Sequence, residues 1–299
     1  MTEDEFAAYQ SLAEETEDHR WAFGTGFTDP LEGIDPSVPD GVDAAALAAY
    51  CLMLGDDALV YSHRLQQWMT RLPELEEETA LANIALDLLG QARMLLARAG
   101  QAEGAAGGGT GRGEDELAFF RDEHEFRNVR LAEHADADFA ELTGRLLVFS
   151  AWRLALCSHL ASSADPVLAA IAAKSTRELA YHRDYAAQWV IRLGDGTPLS
   201  HAKMAAALGV IWPLIDELFQ EDQVSAQLPG VAVDPAELRG EVGDVLDRVL
   251  AAATLERPDV APLARVAGQA GRDGVHTEAF GYLLAELQSL ARAHPDATW

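Results

Sequence analysis

Apolar residues recur along this chain at alternating spacings of four and three. From Leu47 they fall at Cys51, Leu54, Ala58, Tyr61, Leu65 and Trp68, the seam of a helix packed in a bundle. Pro73 ends that helix. A second runs from Glu76 to Ala99, with Leu81, Ile84, Leu88 and Leu95 on one face and Gly100 just past its end. Phe139, Leu142, Leu146, Phe149, Leu156 and Leu160 mark a third. Asp165 caps a fourth, which takes Pro166 into its first turn and runs to Leu193, ahead of Gly194-Asp-Gly. A short helical element is expected around Leu117–Arg127, and further helices around 199–221, 235–256 and 276–293, separated by Pro and Gly breaks. No alternating strand pattern is present. The pattern predicts an all-α protein over 43–299: a ferritin-like four-helix bundle of two helix pairs around a middle loop, with additional C-terminal helices.

Two stretches depart from that pattern. Residues 1–42 are acidic and broken by Pro30, Pro36 and Pro39, which predicts a loop-rich N-terminal arm with at most a short helix near Glu3–Glu15. Such an arm suits packing on a partner. The segment 104–113 is Gly-rich and predicts a flexible, exposed loop.

Composition narrows the function. Lys+Arg number 22 against 49 Asp+Glu, a net charge of −27, which disfavours nucleic acid and anionic membrane surfaces as partners. Only Lys174 and Lys203 are lysines, consistent with the codon usage of a GC-rich genome. Cys51 and Cys157 lie in apolar helical stretches and read as buried thiols. The acidic start offers no signal-peptide run, no apolar stretch is expected to reach transmembrane length, and the expected location is cytoplasmic.

The candidate chemistry lies on the long helices. Glu178 and His182 stand one turn apart on the fourth, like half of a bundle di-iron site, where each half uses Glu-x-x-His plus a lone carboxylate. The spacing is one residue too long, since Tyr181 occupies the expected histidine position. Asp57 on the first helix and Asp87 on the second are further candidates, but Gly90 stands where a histidine should follow Asp87, with Gln91 after it. The third helix carries Asp138 and Glu141 only at its start; its centre reads Phe149, Ser150, Trp152 and Arg153. Three carboxylates and one histidine are too few for two iron ions, and Arg153 on the seam would repel a cation. No metal is therefore expected. Asp57, Asp87, Glu178 and His182 read as degenerate ligand positions, with Arg153 compensating one of the carboxylates. The plainer alternatives are an ordinary surface pair for Glu178 and His182 and a solvated Asp56-Asp57. The charged run from Arg121 to Arg127, with His124 between acids, has the alternation of a solvated or interface helix. No phosphate loop, Cys-x-x-Cys pair or nucleophile elbow occurs.

The run Tyr50-Cys-Leu-Met-Leu-Gly-Asp-Asp-Ala-Leu, the run Leu75-Glu-Glu-Glu-Thr-Ala-Leu-Ala-Asn-Ile-Ala-Leu-Asp-Leu-Leu-Gly-Gln-Ala-Arg, Glu178-Leu-Ala-Tyr-His, Trp189-Val-Ile-Arg-Leu-Gly-Asp-Gly-Thr, and Gly274-Val-His-Thr-Glu-Ala-Phe-Gly with the terminal Trp299 together closely resemble the C subunits of bacterial phenylacetyl-CoA epoxidases. The resemblance covers residues 43–299, leaving the arm and the 104–113 insert unmatched. It implies a multicomponent ring 1,2-monooxygenase of phenylacetate catabolism. In such a complex a homologous A subunit holds the di-iron centre, a further small accessory subunit is present, and a reductase delivers electrons from NADPH through flavin and an iron–sulfur cluster. The C subunit is implied to be a structural, non-catalytic partner with no cofactor of its own. The alternative is a self-sufficient ferritin-like metal-binding oxidase; a helical interaction module would explain the composition but not the ordered motifs. The acidity of the chain further predicts that CoA phosphates are bound by the partner. Self-association of the isolated chain is left open.

Overall fold

The computed structural model describes residues 31–72 and 74–297. The chain divides into two compact units, Met1–Glu32 and Gly33–Trp299. All described helices belong to the second. In chain order they are Ala44–Gln66 (α1), Leu75–Gly107 (α2), Glu114–Phe119 (α3), Arg130–Glu133 (α4), Phe139–Leu160 (α5), Pro166–Gly194 (α6), Pro198–Ile211 (α7), Gln223–Ala226 (α8), Arg239–Ala252 (α9) and Glu278–Ala293 (α10). Short 3₁₀ turns link several of them. Among the described residues there is no strand, only one isolated bridge between Val266 and Gln269. The all-α expectation holds.

Three of the four long helices start at an aspartate cap. The Asp43 side chain accepts from the Ala45 and Ala46 amides at 2.9 and 3.1 Å, Asp138 from Ala140 and Glu141 at 3.0 and 3.2 Å, and Asp165 from Leu168 at 2.7 Å. α2 lacks a side-chain cap and instead places Glu76, Glu77 and Glu78 in its first turn, against the positive end of the helix dipole. α1 packs along α2, α5 along α6, and α2 against α6. Ser62 of α1 donates to the Ala85 carbonyl of α2 at 2.6 Å, and Tyr61 of α1 meets Phe149 of α5 with ring centroids 4.1 Å apart. Every residue of the predicted α1 seam is buried, Trp68 included. So are both cysteines, whose thiols burial pushes up to about 12 for Cys51 and about 11 for Cys157.

Several sequence expectations need correction. By length and hydropathy alone both α1 and α2 could cross a membrane. For α1 the cause is its place in the core: 78% of its apolar window is buried inside the protein. The helix expected over 199–221 stops at Ile211, because Pro213 has no amide to continue the ladder, and two 3₁₀ turns follow. The helix expected over 235–256 likewise begins as a 3₁₀ turn at Pro235–Leu238 and ends at Ala252. Around 117–127 there is only α3 and a 3₁₀ turn at Glu123–Glu125. The expected helix near Glu3–Glu15, and Pro73, lie outside the described residues. Residues 36 and 37 of the arm, by contrast, contact the bundle: the Pro36 and Ser37 carbonyls accept from Arg98 of α2, which is also ion-paired with the α6 cap Asp165.

The Gly-rich segment differs most from its expectation. α2 does not stop at Gly100 but continues to Gly107, and Gly108 turns the chain at φ 67°. The chain then folds back onto the last turns of α2. A Cβ on Gly100 would lie 2.0 Å from the Arg112 carbonyl oxygen, and one on Gly111 1.7 Å from that of Gly100. Arg112 clamps the return by donating to Glu103 at 2.6 and 3.1 Å. Here glycine serves close backbone approach rather than flexibility. Gly100→Ala should therefore destabilise the protein by about 1–3 kcal/mol in denaturant melts, because packed backbone must move. Gly90→Ala, mid-helix with no atom within 4 Å of the new methyl, should instead stabilise it by up to about 1 kcal/mol.

Candidate metal centre

α2 and α6 run antiparallel, and each contributes two polar residues one turn apart: Asp87 and Gln91, and Glu178 and His182. They pair across the helices in a single register. His182 Nε2 lies 2.9 Å from Asp87 Oδ2, and Gln91 Nε2 donates to Glu178 Oε2 at 3.1 Å. Four residues up one helix matches four residues down the other. The other Glu178 oxygen takes the ammonium of Lys174, and Gln91 Oε1 accepts from Arg153 Nε of α5 at 2.9 Å. The result is a row across three helices: guanidinium, amide, carboxylate, ammonium. It runs from the core, where Gln91 and Arg153 are buried, to the half-buried Lys174.

Arg153 also borders a cavity of about 10 Å³ enclosed by Leu54 of α1, Leu95 of α2, Leu156 of α5 and Ile171 of α6. That is room for about one water molecule. Arg153 Nη1 and His182 Nδ1 are buried without a hydrogen-bond partner. The contact with Asp87 assigns the His182 proton to Nε2.

Asp57 belongs to a separate set. Its oxygens accept from Arg272 Nη1 and Nη2 at 3.0 and 2.8 Å and from the Val129 amide at 2.9 Å, and it is fully buried. Burial works against charge on Arg272, but the Asp57 carboxylate, with the charges of Asp222 and Glu217, holds the guanidinium above its ordinary value. Asp56 is buried too, receiving Arg121 Nη1 at 3.0 Å and the Arg127 amide at 2.8 Å.

The four candidate positions fall into two separate sets, Asp57 with Arg272, and Asp87, Glu178 and His182 across α2 and α6. A bundle di-metal centre draws carboxylate and imidazole donors from all four helices into one space. Here Asp57 is held by a bidentate guanidinium and an amide, apart from the other three positions, and α5 offers a cation. Three details of the sequence reading are corrected. Glu178 and His182 pair with α2 residues rather than with each other. Arg153 makes no ion pair with the three carboxylates, although its charge acts on Asp57 at longer range; Gln91 stands between it and Glu178, while Arg272 pairs with Asp57. Asp56-Asp57 is not solvated. His124 is exposed on a 3₁₀ turn. One carboxylate–imidazole group escaped the sequence reading: ligand atoms of His134, Asp136 and Glu141 lie within 4.8 Å of one another. Asp136, however, is held bidentate by the buried Arg145, and a Glu141 oxygen already accepts the Ala137 amide at 2.8 Å.

The family model of the phenylacetic acid catabolic proteins matches residues 36–299. The chain belongs to that family. It is also 42% identical over 255 residues to the C subunit of the 1,2-phenylacetyl-CoA epoxidase of Escherichia coli (strain K12), an alignment spanning 85% of this chain and 99% of the relative. The resemblance read from the ordered motifs is borne out. The family match begins seven residues before the expected boundary at 43 and takes in the 104–113 segment.

Breaking the Asp57–Arg272 pair from one side strands a buried charge. Asp57→Asn should cost about 3 kcal/mol or more in urea melts, whereas the double change Asp57→Leu with Arg272→Met should recover most of that loss. A double variant as unstable as the single one would show that the pair does more than neutralise itself.

Proposed function

We propose that this chain is the structural, non-catalytic C subunit of a multicomponent phenylacetyl-CoA 1,2-epoxidase of phenylacetate catabolism, a ferritin-like bundle that supports a homologous di-iron catalytic subunit. The observation that carries the metal-free part is the Arg153–Gln91–Glu178–Lys174 row. A guanidinium fixed at the centre of the helices supplies the positive charge that a metal would otherwise bring to these carboxylates. Family membership and the named relative support the assignment to the epoxidase.

In this reading iron resides in the catalytic partner, and NADPH, flavin and an iron–sulfur cluster in the reductase. The complex also includes a small accessory subunit and works in the cytoplasm. The contribution of this chain is rigidity. Its polar groups pair with one another across helices, Arg153 Nη1 and His182 Nδ1 excepted, and these pairs hold the register of the bundle. A catalytic bundle keeps ligand carboxylates converging in its core, at a cost in stability that a stiff neighbour offsets. The net charge of −27 also argues that CoA phosphates are held by other subunits.

The self-sufficient oxidase reading would require this row to be dismantled before metal could bind. Elemental analysis of protein produced in iron-supplemented medium separates the two. Iron and manganese should stay far below one equivalent per chain, and near-stoichiometric metal would sink the structural reading. Co-expressed with the di-iron subunit of the same complex, the chain should co-elute with it on size exclusion and raise the yield of soluble, active di-iron protein.

A further inference from the structure

A partly open cavity of about 400 Å³ lies between α1, α5 and the segments 217–238 and 265–273, away from the polar row. Its floor is apolar and aromatic, built from Tyr50 and Met53 of α1 and Trp152 and Leu156 of α5. Tyr50 and Trp152 are each only 2% exposed. The rim is acidic. Two of its charges are already answered, Glu217 by Arg130 and Arg272 by Asp57. Glu221, Asp222 and Asp273 have no ion-pair partner among the described residues; Arg265 also lies in the lining, and the charge of Asp222 acts on Arg272. Four carboxylates, Glu217, Glu221, Asp222 and Asp273, against the guanidinium groups of Arg265 and Arg272 leave the lining negative.

The bonds that these groups do make preserve that charge. Asp222 accepts from the Ser225 amide and hydroxyl at 2.7 and 2.6 Å, and Asp273 from the Ala270 amide at 3.0 Å; all are neutral donors. Arg265 donates to the Gly268 carbonyl at 3.2 Å rather than to a carboxylate. Gln220, also in the lining, is anchored through Nε2 to Asp216 at 3.0 Å, and its Oε1 is buried with no hydrogen-bond partner. Buried acceptors are rarely left unmet without a reason.

Aromatic rings, excess negative charge and the unmet Gln220 acceptor match a cation with N–H donors on an apolar stem, and the buried, unpartnered Trp152 Nε1 in the same lining calls for an acceptor beside it, such as a peptide carbonyl. The same features oppose phosphates and thioester-linked anions. Leu263 and Val266, close to the lining residue Arg265 in sequence and 39% and 63% exposed, offer apolar surface that a polypeptide would cover and a free amine would not. We propose that this cavity receives the guanidinium or ammonium group of an arginine or lysine side chain presented by another polypeptide. An arginine buried in such a pocket is a typical anchor of a protein interface.

Calorimetric titration of the full chain tests this with three probes: an acetylated, amidated tripeptide carrying arginine between two leucines, the same peptide with neutral citrulline, and spermidine. The arginine peptide should bind about tenfold more tightly than the citrulline peptide, the worth of a charge-assisted hydrogen bond. It should also bind more tightly than spermidine. Glu221→Gln combined with Asp222→Asn should remove about that tenfold advantage while leaving the melting temperature unchanged, since asparagine still caps α8. Equal binding of the arginine and citrulline peptides, no binding of either, or an unaffected double variant each overturns the proposal. Spermidine binding as tightly as the arginine peptide would assign the cavity to free amines and overturn the polypeptide source.

Discussion

Two adjacent aspartates inside a buried helix set the terms for much of this protein. Successive residues on a helix point about 100° apart, so Asp56 and Asp57 address different neighbours. Asp56 draws in Arg121 and the Arg127 amide; Asp57 draws in Arg272 and the Val129 amide. Neither carboxylate could be taken out of water without those partners, since an unpaired buried charge costs several kcal/mol. The course of the chain over 121–129 and the return of the C-terminal region to α1 are thus conditions for burying α1. The Asp57–Arg272 bond spans 215 residues, closing the fold between its first long helix and its last loops.

The polar row on α2, α5 and α6 follows the same logic with less charge. An amide from Gln91 stands between guanidinium and carboxylate, accepting from one and donating to the other. A side-chain amide carries donor and acceptor side by side at one end, which suits glutamine to this bridge. His182 and Asp87 repeat the α2–α6 contact one turn away, so the helices are fixed against sliding as well as against rotation.

The helices were legible in the sequence because their apolar spacing and capping residues are local signals. Asp43, Asp138 and Asp165 cap where the pattern starts, and the α1 seam is buried throughout. The site was legible only in part. Arg153 on the seam already argued against a cation there, but its partner Gln91 sits on another helix, and nothing local ties the two. Arg272 was invisible for the same reason at greater distance. The Asp56-Asp57 dipeptide looked solvated because local charge gives no sign of an arginine arriving from far along the chain. The glycines at 100, 104 and 111 were ambiguous in kind: one composition serves a mobile loop and a tight backbone contact equally well, and only the return of Arg112 to Glu103 distinguishes them.

Four arginine–carboxylate pairs, Arg98–Asp165, Arg121–Asp56, Arg130–Glu217 and Arg145–Asp136, lie with both side chains less than a tenth exposed. They divide the electrostatics of this chain into two compartments, one nearly insensitive to ionic strength and one open to it. The interior pairs are shielded from counterions and hold their attraction in any buffer. The surface retains the whole excess of −27 with fewer cations to balance it, and its repulsion is open to screening. Moderate salt therefore relieves repulsion outside without loosening the bonds inside, and this protein should gain stability from ions that weaken proteins held together by exposed salt bridges.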